Sequence, residues 1–229
     1  MTQRHELRWG GFAGIAFLVL AVLAAVLPGI PPRVTATEDT ITSYVADGRS
    51  QMLLAAILYA AAAGLVIWFA AAFAEAIRER DERSDVHLAI LAGSVLIGAA
   101  LFVYGAAMGV LAYGVETVEA ATIVALYQGT MVLNVLLGFA AALPLAAAGI
   151  GVLRTHLMPD WLGYIALAAA AVSGLAAFSI FFDSGTYAPG GSVMPFVSLT
   201  AGGIFVACAS VFMVREHLPE VAPMAMPQA

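Results

Sequence analysis

The sequence has no lysine, a single cysteine and few charges of either sign. Only 10% of its 229 residues are charged and 62% are hydrophobic; a soluble domain carries about 25% charged residues. A soluble fold of this length has no means of hiding so much apolar surface, so lipid must be the solvent. One cysteine, Cys208, excludes an intramolecular disulfide and a cysteine-built zinc site. Standing in an apolar run, it reads as a small packing residue. The formal net charge is -6. Its acidic side chains gather in the loops, so this charge belongs to the membrane surfaces and points to no nucleic-acid partner.

A second absence is more informative. Ionisable side chains are costly inside a membrane helix and mark function there, yet this sequence puts none near the middle of an apolar run. His5, His87, His156 and His217 all stand near run ends, and none has the H-E-x-x-H spacing of a zinc protease. A haem would lack an axial ligand at mid-depth. A proton-driven pump would lack its intramembrane carboxylate. Nucleophilic catalysis needs a base beside the nucleophile, and Ser173, Ser179 and Ser198 have no histidine at their depth. These gaps imply no cofactor and set enzymes last among the function classes.

What the sequence does contain is apolar length. Crossing the hydrocarbon takes roughly 20 apolar residues in a helix, and six stretches qualify: about 9–27, 52–73, 88–113, 121–143, 162–182 and 194–214. The expected fold class is all-α, a polytopic bundle of six transmembrane helices forming one domain over 1–229. The fourth span is expected to stop near Leu143 or to run past Pro144 to Leu153. The first is expected to be a retained span. Its apolar core is longer than the roughly 7–15 residues of a signal peptide, and Pro28-Gly29-Ile30-Pro31-Pro32 follows where a small-x-small cleavage site would stand.

Six spans divide the arginines unevenly. One side receives Arg4, Arg8, Arg78, Arg80, Arg83, Arg154 and Arg215, and the other only Arg33 and Arg49. Basic residues concentrate in cytoplasmic loops, so both termini are expected inside, in a plasma membrane. The outer loop, 29–51, should hold a short helix capped by Thr37 and ended by Gly48, with Ile41, Tyr44 and Val45 on one face. The inner loop "EAIRERDERSDVH" reads as a helical extension of the second span, with pairs such as Arg78 and Glu82 at i,i+4. The Pro-rich tail, 219–229, is expected to be disordered.

Polar atoms inside the spans are the candidate site. Tyr127, Thr130 and Asn134 stand at i, i+3 and i+7 on one face of the fourth span, and Gln128 points elsewhere. An amide at the depth of Asn134 must meet another polar group or a cavity. Partners are available in Tyr59, Ser94, Tyr104, Ser173, Ser198 and Thr200. Two readings stay open. Asn134 locks the register of the bundle through a bond of about 0.6–2 kcal/mol, or it lines a cavity for an amphipathic ligand. Pro144 breaks one backbone bond and would help to open such a cavity. Near the outer surface, Arg49 would bind a headgroup phosphate or pair with a loop carboxylate, and Asp47, Arg49, Asp183 and Tyr187 are the residues from which an outer-loop enzyme site would be built. Small residues at four-residue spacing (Gly10 and Gly14, Ala60 and Gly64, Gly105 and Gly109, Ser198 and Gly202) predict close helix contacts. Trp9, Trp161, Tyr44 and Tyr187 stand where interfacial anchors belong, and Trp68 is expected to pack inside.

Four stretches carry a family likeness: "RWGGFAGIAFLVL" from Arg8, "ITSYVADGRSQMLLAA" from Ile41, "LRTHLMPDWLGYIAL" from Leu153, and "TYAPGG" from Thr186. In these the chain resembles a family of actinobacterial multi-pass integral membrane proteins grouped as a domain of unknown function. The resemblance implies the six-helix fold and brings no activity or catalytic residue with it. The expected function is that of a non-enzymatic membrane protein, either an accessory subunit beside other membrane subunits or a binder of a lipid-like ligand. A small transporter with a polar cavity near Asn134 is the alternative.

Overall fold

The computed structural model describes residues 2–182, 185, 187–190 and 194–215. Asp183, His217 and the tail 219–229 lie outside the described residues. Among the described residues seven α-helices follow in chain order: α1 Thr2–Val26, α2 Glu38–Asp47, α3 Arg49–Arg78, α4 Val86–Gly114, α5 Ala120–Thr155, α6 Asp160–Ala177 and α7 Met194–Val214. A 3-10 turn, Phe178–Phe181, extends α6. Six of these helices are long and apolar enough to cross a membrane, and no strand occurs among the described residues. The all-α polytopic bundle is the fold.

The long helices are apolar on all sides, as helices solvated by lipid are. Leu54, Ile57, Phe102, Phe139 and Leu175 stand exposed on the outside, while Phe69, Phe73, Leu111 and Leu162 are buried within. Each long helix packs chiefly on its neighbours in sequence. Thus α1 packs on α3, α3 on α4, α4 on α5, α5 on α6 and α6 on α7, and α7 closes back on α1. The result is a ring of six helices. Contacts across it, between α5 and α7 and between α3 and α5, are sparse, so the middle of the ring is where space is left.

Small residues let the ring close. A Cβ on Gly10 would strike Ala72 of α3, and one on Gly14 would strike Ser210 of α7 and Phe69 of α3. Gly93 of α4 seats the Pro144 ring of α5, where a Cβ would stand 2.7 Å from the proline Cδ. The expected close faces at Gly64 and Gly109 are absent: a Cβ at either would meet nothing within 4 Å. In an Ala- and Gly-rich chain the spacing alone does not select the packed face.

Several expectations meet particular outcomes. Pro144 lies inside α5, which runs on to Thr155 over 36 residues. At about 1.5 Å per residue this is about 54 Å, well beyond the roughly 30 Å of hydrocarbon. Thr37 caps α2 through the Thr40 amide, Gly48 ends it, and Ile41 and Val45 are fully buried. The inner loop bears out its expected helical extension only as far as Arg78. Helix α3 ends at Arg78, which pairs with Glu75 one turn back at 2.5 Å and not with Glu82. Residues beyond it turn under the bundle, where Arg154 reaches Ser84 Oγ at 3.2 Å and Asp81 at 3.6 Å. Trp68 is 54% exposed and faces outward, against the expectation of an inside position. On a helix apolar all round, its neighbours gave no sign of its phase.

Candidate functional site

Helix α5 carries four of the five candidate residues, and the structure sends them to different tasks. Tyr127 is fully buried, and its hydroxyl donates to the Pro32 carbonyl. One position on, Gln128 is exposed and donates through Nε2 to the Val34 carbonyl at 3.0 Å. Together they hold the Pro-rich loop 28–37 down on the start of α5. Thr130 is buried and donates to its own helix at the Leu126 carbonyl, 2.8 Å away, so it keeps its hydroxyl satisfied and reaches no other element through it.

Asn134 stands apart from these. Its Nδ2 donates to the Tyr104 hydroxyl of α4 at 2.8 Å, one of the partners expected for it. Tyr104 in turn packs edge to face on Tyr59 of α3, with ring centroids 5.1 Å apart. Three helices are thus joined at one level by an amide and two phenols.

This level divides the hollow of the ring into two chambers. The larger, of about 150 Å³, is walled by α1, α3, α4, α5, α7 and the end of α6. Its surface is mainly aromatic and aliphatic, with Phe17, Phe69, Phe73, Phe205, Leu145 and Leu199 prominent. Polar atoms on the wall come from Tyr59, Ser94, Asn134, Ser179 and Ser198. The smaller chamber, of about 30 Å³, lies toward α2 and is lined by Tyr44, Tyr59, Tyr104, Tyr127 and Asn134 under Pro28–Pro31 of the loop. Asn134 and Tyr59 belong to both walls. Gln128 belongs to neither, in keeping with its place off the face that carries Asn134.

Among the described residues that line them, neither wall carries a charge, and every ionisable side chain is a tyrosine. Burial, together with the neighbouring Tyr104, holds the Tyr44 phenol above its ordinary range, so it stays neutral. The Ser179 hydroxyl on the wall of the larger chamber is buried and has no partner among the described residues.

Arg49 lies away from the chambers, at the start of α3. Its guanidinium donates from Nε to the Ala112 carbonyl at 3.0 Å and pairs with Glu116 at 3.1 Å. The Tyr113 ring lies 5.9 Å from its Cζ. It is committed to tying α3 to the end of α4, the loop-carboxylate arrangement weighed for it above. Tyr187 is exposed and rests against Phe182. Among the described residues, no three His, Cys, Asp or Glu side chains converge as metal ligands would.

Nothing in the sequence signals the phenylalanines of the large chamber, and Tyr44, expected on one face of the outer helix with Ile41 and Val45 and near the interface, lines the smaller chamber. Spacing could not reveal either. Which face of an all-apolar helix turns inward depends on the neighbours it meets. Set beside protein-family models, curated proteins and solved structures, the chain matches none of them.

Proposed function

We propose that this is a non-enzymatic integral membrane protein that binds a lipid-like ligand, with an apolar chain of that ligand inserted into the large chamber. The single observation that carries the reading is the chamber itself: about 150 Å³ of mostly apolar-walled space at the centre of a six-helix ring. Engineered apolar cavities of about this volume stay dry and take benzene-sized guests. A segment of an acyl or isoprenoid chain is such a guest, and the bilayer supplies it. Among the described wall residues every ionisable side chain is a tyrosine, which favours binding over acid–base or nucleophilic work. The proposed site is the plasma membrane with both termini cytoplasmic, supported by the seven arginines against two. Membership in the actinobacterial family is proposed with it, on the four stretches quoted.

The test is retention of lipid. Protein purified in a mild detergent should release a stoichiometric small hydrophobic molecule on denaturing extraction, read by mass spectrometry. Gly202→Phe puts a ring into the chamber from α7, where a Cβ has only Leu145 at 3.4 Å as its near neighbour. That variant should retain less than a tenth as much while melting at a similar temperature. A wild-type protein that carries nothing, or a filled variant that carries as much as wild type, would sink the proposal.

A further inference from the structure

We infer that the ligand taken by the large chamber is a neutral lipid alcohol, its hydroxyl held at Asn134 and Tyr59 and its chain lying among the phenylalanines. This rests on the binding reading above and narrows it to one ligand class.

Among the described wall residues, the amide of Asn134 and the phenol of Tyr59 stand together at the level where the two chambers meet, and from there a mainly apolar wall, interrupted by the single hydroxyls of Ser94, Ser179 and Ser198, runs past Phe69, Phe73 and Pro144 to Ala148. An amide has one acceptor atom and one donor atom. Asn134 uses Nδ2 on Tyr104, and among the described residues its Oδ1 has no partner. The Tyr59 hydroxyl likewise has none among them, although its ring is buried and packed on Tyr104. Buried polar groups are almost always hydrogen-bonded, so an unmatched set facing a cavity calls for an unseen partner.

The shape of the deficit selects the partner. An acceptor on Asn134 and a donor-acceptor on Tyr59, both on the wall where the chambers meet, suit a hydroxyl, which can give a proton to the one and receive a proton from the other. A water molecule would meet them too, but it would leave the adjoining apolar chamber empty. An alcohol on an apolar chain fills both. An ionised headgroup is disfavoured in the same place. A carboxylate, phosphate or ammonium there would be desolvated without a counter-charge, since among the described residues no Arg, Asp, Glu or His lines either chamber. The place of Asn134 and Tyr59, where the large chamber meets the small one, sets the ligand's orientation. Its hydroxyl lies toward α2 and the Pro28–Pro31 loop, and its chain toward the arginine-rich end.

The experiment uses the full chain in lipid nanodiscs and four medium-chain probes of equal length. Each carries a photoreactive diazirine at the tail and ends in a hydroxyl, a carboxylic acid, an amine or a methyl group. After irradiation, peptide mapping reads which helices are modified. The expected result is alcohol labelling of wall residues of α3, α5 and α7, competed by unlabelled alcohol, with at least tenfold less labelling there by acid and amine. Tyr59→Phe, which removes one oxygen from a buried ring, should weaken alcohol labelling about fivefold, the factor a single net hydrogen bond confers. It should leave the methyl-ended probe unchanged. Asn134→Leu should do the same more strongly, and Tyr59→Phe keeps the test open if that variant fails to fold. Labelling of the chamber by acid, amine or methyl probes as strong as by the alcohol would overturn the inference while leaving lipid binding standing. Labelling confined to the outer faces for all four probes would remove both.

Discussion

Tyr127 and Gln128 are adjacent in sequence and touch the same loop, yet their substitutions should differ. Tyr127→Phe keeps the buried ring and removes the hydroxyl that the Pro32 carbonyl accepts. The carbonyl is left short of a partner, at a cost of about 1–3 kcal/mol. Gln128 is exposed, so water can replace its bond to Val34. Gln128→Ala should therefore fall within about 0.5 kcal/mol of wild type. Thermal melting of the two variants in one detergent checks the contrast, and equal losses would mean that burial does not govern this contact. The residue types were legible from the sequence: Tyr127, Thr130 and Asn134 on one helical face, with Tyr104 as a partner for Asn134. Their tasks were not. Pro32 lies 95 positions before Tyr127, and no local spacing reports a contact of that range.

At the scale of an element, α4 shows how much the neighbour decides. Gly93 and Gly109 are both helix-interior glycines. A Cβ on Gly93 would stand 2.7 Å from the Pro144 Cδ and 2.9 Å from its backbone nitrogen. Proline cannot yield there, so Gly93→Ala should destabilise by about 1–3 kcal/mol, as overpacking does. Gly109 faces open space, and Gly109→Ala should stabilise by about 0.5–1 kcal/mol through helix propensity alone. Opposite shifts in melting temperature are the expected reading. The Gly105-x-x-x-Gly109 spacing anticipated one of its two glycines correctly: Gly105 approaches the Ala56 carbonyl, whereas Gly109 approaches nothing. Helix α2 was legible in more detail, because a capping threonine, an acidic first turn and an apolar i,i+4 pair are local signals. The loop after Arg78 was not, because it meets Arg154, about seventy residues on, and no local spacing reports that contact.

At the scale of the whole molecule, the closed ring joins ends that the sequence lists in alternation. One end gathers Asp81, Ser84 and Arg154; the other gathers Pro32, Arg49, Glu116 and Tyr127. The topology proposed from the arginine count puts the first end in the cytoplasm, and it is open to a direct measurement. Thr117→Cys and Glu82→Cys both place a thiol on an exposed loop position. In a Cys208→Ser background, a membrane-impermeant maleimide applied to intact cells should label the first and spare the second until the cells are lysed. Labelling of Glu82→Cys in intact cells would invert the topology.

The sequence by itself determined that the chain is helical, that its helices meet lipid, how many are long enough to cross, and which end collects positive charge. Each of these follows from summed composition: apolar run length, absent mid-run charge and arginine placement are properties of segments that no fold need arrange. Only the tertiary structure decided which faces turn inward, that α7 closes on α1, and that a chamber with a tyrosine neck is left between them. A helix apolar on every side has the same affinity for lipid in any rotation, so its phase is chosen by the shape of its neighbours, and a cavity exists only where six such choices leave a space.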